Sequence, residues 1–559
     1  MPTPPVVSGA DTAWVLICAA LVLFMVPGLA FFYAGQVSSR NTLAMLQQNF
    51  IPLGVVSITW ILLGYTIAFG DDAGTGLVGN LKLFALMHSG TTPAPAPAFH
   101  VVAPGVAIPT LAFVAFQMMF AVITPALITG ATAGRLKIIG WAVFIAVWSV
   151  IVYAPIAHWL WHPGGWLARL GAQDWAGGMV VHTSAGAAVL AILLVVGRRR
   201  NWPRTGTLPN SLPLTIVGAG VLWFGWFGFN AGDGLRADAI AAQALLNTHI
   251  AAAAGLVVWL LVERFTSGHA TVLGAVSGAV AGLATITPCA GYVSTLSALV
   301  IGVVAGLVCQ LAMRMKFHLR FDDALDVVAV HFIGGVLGSL LLGFFAERAA
   351  NPLSANGLFF GGAGGLLWRQ AVAVIAVAAF SFVLTWIIAF AIQKSIGLRV
   401  SPADEDRLDR VQQAVEAYHL DAVSGLPGSG GPGTAPERVA PARAAAGGPG
   451  ATVSLVTGLL DPERVHTDEL EEALSRAGAS SVVVTEAHAA AEEPQAQTVR
   501  GYRRNLELVS RLRIEVLVPD RSVATVLDVF DRFSAEHPEG FVQVVKPSTS
   551  IRREHGASA

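Results

Sequence analysis

Two histidines, His182 and His331, lie deep inside stretches that are otherwise almost purely apolar, and each belongs to one of two matching segments. The first reads Asp174-Trp-Ala-Gly-Gly-Met-Val-Val-His182-Thr-Ser-Ala-Gly and the second Asp326-Val-Val-Ala-Val-His331-Phe-Ile-Gly-Gly. An ionisable side chain inside a membrane span is costly and as a rule faces a pathway or a partner. Imidazole is also the side chain best suited to exchanging a proton near neutral pH. A pair of them in an apolar setting therefore points to a substrate that itself carries a proton. The bland alternative, that each is a buried polar group bonded to a neighbouring helix, is weakened by their symmetric placement.

The elements that must hold this pair are read from hydropathy. Of 559 residues, 54% are hydrophobic and 12% charged, with a mean hydropathy of +0.64. A soluble domain carries about 25% charged residues, so most of this chain belongs in lipid. The net charge of −1 offers nothing to nucleic acid. Cys18, Cys289 and Cys309 lie in or beside apolar runs without metal-ligand spacing and read as small packing residues. Residues 1–13 hold no Lys or Arg, so the first apolar run lacks the basic flank of a signal peptide and reads as a retained helix.

Eleven stretches have the length of about 20 residues that a span requires: 13–34, 46–69, 108–130, 137–157, 178–197, 211–231, 240–262, 269–286, 291–313, 326–346 and 367–393. Alternate loops carry the basic residues, at Arg40, Arg135, Lys137, Arg198 to Arg200, Arg204, Arg264, Arg314, Lys316 and Arg320. The positive-inside rule then places the N-terminus outside and everything after Lys394 in the cytoplasm of a cell (inner) membrane. With spans one to five and six to ten as two halves, the second half enters from the opposite face. His182 falls near the outer start of span five and His331 near the inner start of span ten. An inverted repeat would bring such a pair together around a midplane site.

After Arg399 the character changes. Residues 401–422 are charged and read as helical, and 423–451 form a Gly/Pro/Ala linker. About 29 such residues have an r.m.s. reach near 30 Å. From Val453 a small soluble domain begins, with strands at 453–457, 482–486, 511–518 and 541–545 and helices at 467–477 and 522–533. That order is βαβ–βαβ, the arrangement of a ferredoxin-like fold. The polar run Ala487–Val499 reads as an arm free to reach out. The domains are thus 1–400, a tail and linker at 401–451, and 452–559.

Residues from about Asp11 to Arg399 resemble the ammonium transporter (Amt/Mep/Rh) family. The resemblance is carried by Leu23-Phe-Met-Val-Pro-Gly-Leu-Ala-Phe-Phe-Tyr-Ala-Gly35, by the Asp174 to His182 segment, by Trp223-Phe-Gly-Trp-Phe-Gly-Phe-Asn-Ala-Gly232, by Asp322-Asp-Ala-Leu-Asp-Val-Val-Ala-Val-His331 and by Gly397-Leu-Arg-Val400. It implies eleven helices in an inverted five-plus-five repeat, a homotrimer with one pore per subunit, and ammonium as substrate. His182 and His331 match the family's twin pore histidines, and Phe120 and Phe229 its stacked gate rings. Trp161 and Phe116 match the aromatic walls of the outer recruitment site. Asp174 matches an aspartate that organises the site. Asp233 stands where the family usually has a serine. It either strengthens cation capture at the mouth or pairs with Arg236. The segment before His331 lacks the usual glycine, and the tail Asp406-Arg-Leu-Asp-Arg lacks the family's Glu-rich ending.

The implied roles are physically coherent. A cation gains about 0.5–2 kcal/mol against aromatic faces, whereas moving a bare ion into a low-dielectric pore costs on the order of tens of kcal/mol. Splitting ammonium into ammonia and a proton removes that mismatch. Potassium cannot be split and meets the full barrier.

Residues 453–553 resemble the PII nitrogen-regulatory proteins, through Leu470-Glu-Glu-Ala-Leu-Ser-Arg-Ala-Gly478, Val482-Val-Val-Thr-Glu486, Arg500-Gly501 and Leu512-Arg-Ile-Glu-Val-Leu-Val-Pro-Asp520. Those proteins are trimers that bind adenine nucleotides and plug ammonium channels. Here Arg500, Gly501 and Arg552 line up as regulatory positions, but the stretch after Glu486 reads Ala-His-Ala-Ala-Ala-Glu-Glu rather than a glycine-rich phosphate loop. Adenine-nucleotide binding is left open. No nucleophile–base motif, metal cluster or other cofactor site stands out, so the chain reads as a transporter and not an enzyme. The competing reading is an ammonium sensor (transceptor) whose soluble domain is the output.

Overall fold

The computed structural model describes residues 6–87, 106–200, 202–203, 209–415, 417–418, 453–460, 467–499, 502–534 and 541–545. They fall into two compact units, Met1–Tyr418 and His419–Ala559.

In the first unit, ten helices among the described residues are long and apolar enough to cross a membrane. They are α1 Gly9–Ala34, α2 Ser39–Phe69, α3 Thr110–Ala131, α4 Ile138–Leu170, α5 Gly178–Val196, α6 Leu212–Gly232, α7 Ala239–Ser267, α9 Thr295–His318, α10 Val328–Phe345 and α11 Gly365–Ser395. Between α7 and α9 lies α8, Val272–Ile286, an apolar helix of only 15 residues. It stops where Pro288, which has no N–H, interrupts the ladder. The following turns are closed by Cys289 N donating to Ile286 O at 2.8 Å and Tyr292 N to Cys289 O at 2.7 Å. This unit is a multi-pass helical membrane protein.

The helices pack where small residues permit it, as expected where apolar surface alone does not discriminate between neighbours. α1 and α6 lie with their backbones nearly touching, since a methyl group on Gly218 would collide with the backbone of Phe32. The N-terminus of α1 is capped by the Ser8 hydroxyl, which accepts from Asp11 N at 3.2 Å. Asp11 itself sits in the first turn, favourable for an anion there.

The chain after α11 does not leave this unit at once. A short helix α12, Leu408–Gln413, docks on the N-terminal end of α2. The Asp409 carboxylate accepts from the N–H groups of Leu43 at 3.0 Å and Ala44 at 2.8 Å, satisfying donors that a helix start leaves open. Asn41 Nδ2 donates to Glu405 O at 2.7 Å, and Leu408 N donates back to Asn41 Oδ1 at 2.9 Å. Glu405 also pairs with Arg399. The expected helix over 401–422 is narrower: among the described residues 408–413 are helical and 401–407 run through turns, because this segment is anchored by partners far away along the chain.

In the second unit the described elements are β1 Val453–Leu460, α13 Thr467–Arg476, β2 Ser481–Val499, β3 Tyr502–Pro519, α14 Val523–Ser534 and β4 Phe541–Val545. The sheet order is β2-β3-β1-β4, all pairs antiparallel. Alternation along β3 turns Ile514, Val516 and Val518 inward against Leu470, Leu474, Val526 and Phe530. The run 487–499 is not an irregular arm. It continues β2 in a ladder with β3 out to Val499 opposite Tyr502, with one irregularity between Ala490 and Gln495. Alanine and glutamate are poor strand formers by type, but a facing strand pairs their backbone groups and overrides that preference. Arg500, Gly501 and Arg552 lie outside the described residues, as does 423–451.

Candidate functional site

The site begins with two helix starts. Gly177 adopts φ +105, a conformation open to glycine, and turns the chain so that four consecutive N–H groups face Asp174. Its carboxylate accepts from Gly177 at 3.2 Å, Gly178 at 2.6 Å, Met179 at 2.8 Å and Val180 at 3.0 Å. An anion here satisfies the open donors and opposes the helix dipole. Burial pushes this carboxyl up to about 6, against the pull of those donors.

The second start corrects the sequence reading, which aligned Asp174 with Asp326. The residue that caps α10 is Asp323, accepting from Val327 N at 3.1 Å and Val328 N at 2.7 Å. It stands eight residues before His331, as Asp174 stands eight before His182. Asp326 instead sits at φ +63 with its carboxylate on buried Lys316 Nζ at 2.6 Å. The equal spacing was the signal that could have identified Asp323.

Both histidines lie on widened π-type turns, Gly178–Thr183 and Val328–Phe332. In the first, His182 N donates to Gly177 O at 3.0 Å. Such turns rotate a side chain away from its regular helical direction and recur at functional sites. The two helices then approach through symmetric glycines. Gly335, four after His331, lies against His182 Cβ, and Gly186, four after His182, lies against the backbone of Phe332.

The outcome is a direct contact, with His331 Nδ1 3.2 Å from His182 Nδ1. The rings are 5.2 Å apart and nearly parallel, at 21°. A hydrogen bond between two Nδ1 atoms requires one to carry the proton and the other to accept it, so the rings hold opposite tautomers. His182 Nε2 is buried and has no hydrogen-bond partner among the described residues. The pair lines a small apolar cavity with Leu29, Ile123, Trp226 and Phe229. Trp226 stacks on His182 at 5.5 Å and is pinned by Nε1 donating to Thr287 Oγ1 at 2.9 Å. Its role as a wall was not singled out in the sequence, where it is one of 14 tryptophans.

The aromatic positions converge beside this cavity. Phe120 and Phe229 stand 4.3 Å apart at 37° and are both buried. Phe229 is 6.2 Å from the His182 ring. Phe116 meets Phe120 edge-on at 5.0 Å, and Trp161 meets it at 5.8 Å and 90°. Trp161 Nε1 donates to Asp174 O at 3.0 Å, tying this wall to the start of α5. Asp233 ends α6 with Gln117 Nε2 at 3.5 Å, while Arg236 pairs with Asp238 at 3.7 Å. Trp161, Phe116, Phe120, Phe229, His182 and His331 thus form one connected chain of rings, with Asp174 bracing its Trp161 end.

Chemically, this is a closed path. Two phenyl rings in contact leave no room for a hydrated ion, and the described residues lining the space past them offer imidazole nitrogens but no charged side chain. Among the described residues no group of three or more His, Cys, Asp or Glu is placed to hold a metal ion.

Comparisons with known proteins agree with this architecture. The profile of the Ammonium Transporter Family matches residues 13–418. An ammonium transporter of Mycobacterium tuberculosis is 44% identical over 447 residues, covering 76% of this chain and 93% of that protein. The ammonium transporter Amt1 of Archaeoglobus fulgidus is 43% identical over 412 residues, covering 74% of this chain and all of that one. Among solved structures, Saccharomyces cerevisiae Mep2 superposes with a TM-score of 0.64 at 33% identity, over 70% of this chain and 88% of its own. A sensor Amt protein superposes with a TM-score of 0.63 at 30% identity, over 71% and 96%.

Proposed function

The chain belongs to the ammonium transporter family, and from that premise we propose that it takes up ammonium by collecting it at an outer aromatic site, stripping one proton and passing ammonia through the apolar path. The observation that carries this reading is the 3.2 Å contact between His331 Nδ1 and His182 Nδ1 behind a closed pair of phenyl rings. Trp161 and Phe116 collect the cation, Phe120 and Phe229 exclude water and bare ions, and the imidazoles take up and relay the proton. Asp174 holds the first imidazole's helix in place. An ion in this setting faces a desolvation cost on the order of tens of kcal/mol, whereas ammonia is neutral. Potassium, of similar size, has no proton to lose.

In this reading α1 to α11 form eleven spans in an inverted five-plus-five repeat, three subunits assemble as a trimer, the N-terminus is outside and the second unit is cytoplasmic. The β2-β3-β1-β4 order supports a ferredoxin-like assignment for that unit, and with it a PII-like regulator acting in cis. Tethering by 423–451 holds it at an effective concentration in the millimolar range, enough for a weak contact to be occupied. A second reading, an ammonium sensor with the soluble unit as output, is favoured by that fusion.

The test is methylammonium and ammonium uptake by liposomes containing the full chain. Saturable uptake without potassium flux is expected. Silent liposomes, together with ligand-dependent rearrangement of the second unit, would overturn transport in favour of sensing.

A further inference from the structure

We propose that His158 is a positioning residue carrying two ring protons, and that this imidazolium ties the 71–80 loop to the end of α4 and so fixes Trp161. The effect on uptake rests on the transport reading above; the charge of the ring does not.

Hydrogen bonding sets the number of protons. His158 is fully buried, and each of its ring nitrogens faces an oxygen. Nδ1 lies 3.0 Å from Ala68 O in the last turn of α2, and Nε2 lies 3.2 Å from Asp72 Oδ1. A carbonyl oxygen can only accept, so Nδ1 donates. Asp72 is an acceptor as well, since its carboxylate takes the N–H of Gly76 at 2.7 Å and of Gly74 at 2.9 Å. Burial would raise that carboxyl, but the Gly76 N–H, the His158 ring and the Gly74 N–H hold it below its ordinary value. Nε2 must therefore donate too, which a neutral ring already donating through Nδ1 cannot do. The closing carbonyls of α2 favour a cation at the same spot.

The surroundings fit a single positive ring. His162, one turn further on, stacks over His158 at 4.4 Å and 12°. Its Nδ1 accepts from Gly164 N at 2.9 Å, so that ring is neutral and the stack holds no like-charge pair. On the loop, Asp71 is paired with Lys82 at 3.7 Å, and the Arg169 guanidinium lies against Gly76. From α11 comes the Phe380 ring, set on Trp159. The loop itself is a tight hairpin, with Ala73 N donating to Val78 O at 3.0 Å. It grips α4 at two more points, Trp159 Nε1 to Leu77 O at 2.8 Å and Trp166 N to Gly76 O at 3.0 Å. Trp161 lies between those points, three residues and about one turn after His158, with its ring on Phe120. Loss of a proton from His158 turns Nε2 into a second acceptor facing the carboxylate, and the tie opens. Alkaline medium thus loosens the wall against which the cation is collected.

The experiment reads the ring and then its effect. Solid-state nitrogen NMR of full-length protein labelled at its histidines, with the His158 signal identified by its loss in His158→Gln, should show two protonated ring nitrogens at about pH 7. One bare nitrogen there overturns the assignment. In liposomes, wild-type half-saturation for methylammonium should rise roughly five-fold or more between about pH 6 and about pH 9, as a charge-assisted bond is lost. The maximal rate should stay within about two-fold. Asp72→Asn removes the need for the second proton, because an amide can donate to a neutral ring, so its half-saturation should no longer follow pH. A folded D72N with the wild-type pH response rejects the tie. If the wild type carries no methylammonium, the transport reading fails instead, and melting temperatures decide. The fold holds a proton that the unfolded chain releases, so wild-type melting should fall as pH rises and D72N melting should stay level. Parallel curves for the two proteins reject the tie.

Discussion

Asp174 and Asp323 hold matching positions in the membrane unit, each eight residues before a histidine and each accepting hydrogen bonds from the opening N–H groups of that histidine's helix. Asp174 binds four donors and Asp323 two, so the two helix starts are braced unequally. Each brace fixes the start of a helix that carries one of the two meeting histidines.

Replacing either aspartate by Asn should therefore cost stability and function together. Loss of a charged cap on buried donors is worth about 1–3 kcal/mol. D174N is expected to be the more damaging, since more donors lose their acceptor. Thermal melting in detergent, paired with uptake by liposomes, checks this; an unchanged melting temperature in both variants would remove the bracing role.

The histidine pair makes a sharper claim. His182→Ala or His331→Ala leaves one imidazole with no partner at 3.2 Å, so a proton can no longer pass between rings. Proton-coupled current should fall by at least roughly ten-fold, as when a positioned proton-transfer group is lost, or the path should begin to admit potassium. Current and potassium flux measured on supported membranes decide it. Wild-type values for both variants would end the relay.

At the other end of the helices, Asp322 holds Arg199 at 2.7 Å and Arg135 at 3.5 Å, with its own side chain and that of Arg135 fully buried. Burial alone would raise the Asp322 carboxyl, but the Arg199 bonds and the Arg135 charge keep it below its ordinary value. A depressed folded-state value means that the stabilisation is present above the unfolded value and lost as pH falls through the folded one. Acid denaturation should thus steepen below about pH 4. Asp322→Asn should flatten that limb and cost on the order of 3–5 kcal/mol at neutral pH, because Arg135 is left buried without its partner. Melting curves against pH for both proteins test the sign.

Removing 419–559 leaves the first unit with its docked α12. If the second unit tunes flux in cis, the truncated protein should transport at a different rate, or lose a response to cytoplasmic metabolites that the full chain shows. Uptake in cells grown with scarce and abundant nitrogen provides the comparison. Identical behaviour in both conditions would exclude regulation by that unit.

Hydropathy is local and additive, which is why the membrane character, the apolar segments and the symmetric position of His182 and His331 could all be read along the chain. The aromatic positions followed from motif resemblance and proved to be neighbours in space. Other features depend on directional contacts between distant residues, which no window of sequence contains. Asp323 rather than Asp326 caps α10 because a left-handed turn at Asp326 leads its carboxylate to Lys316. Trp226 becomes a wall of the cavity because Thr287 pins its indole. The 487–499 run is strand because β3 lies beside it. The tail docks because Asp409 reaches the open start of α2. Sequence alone determined the membrane character of the first unit and where the imidazoles lie along its apolar segments. Only the packing of helices across Gly186 and Gly335 decided that the two rings touch, because the distance between them is set by how closely two backbones can approach.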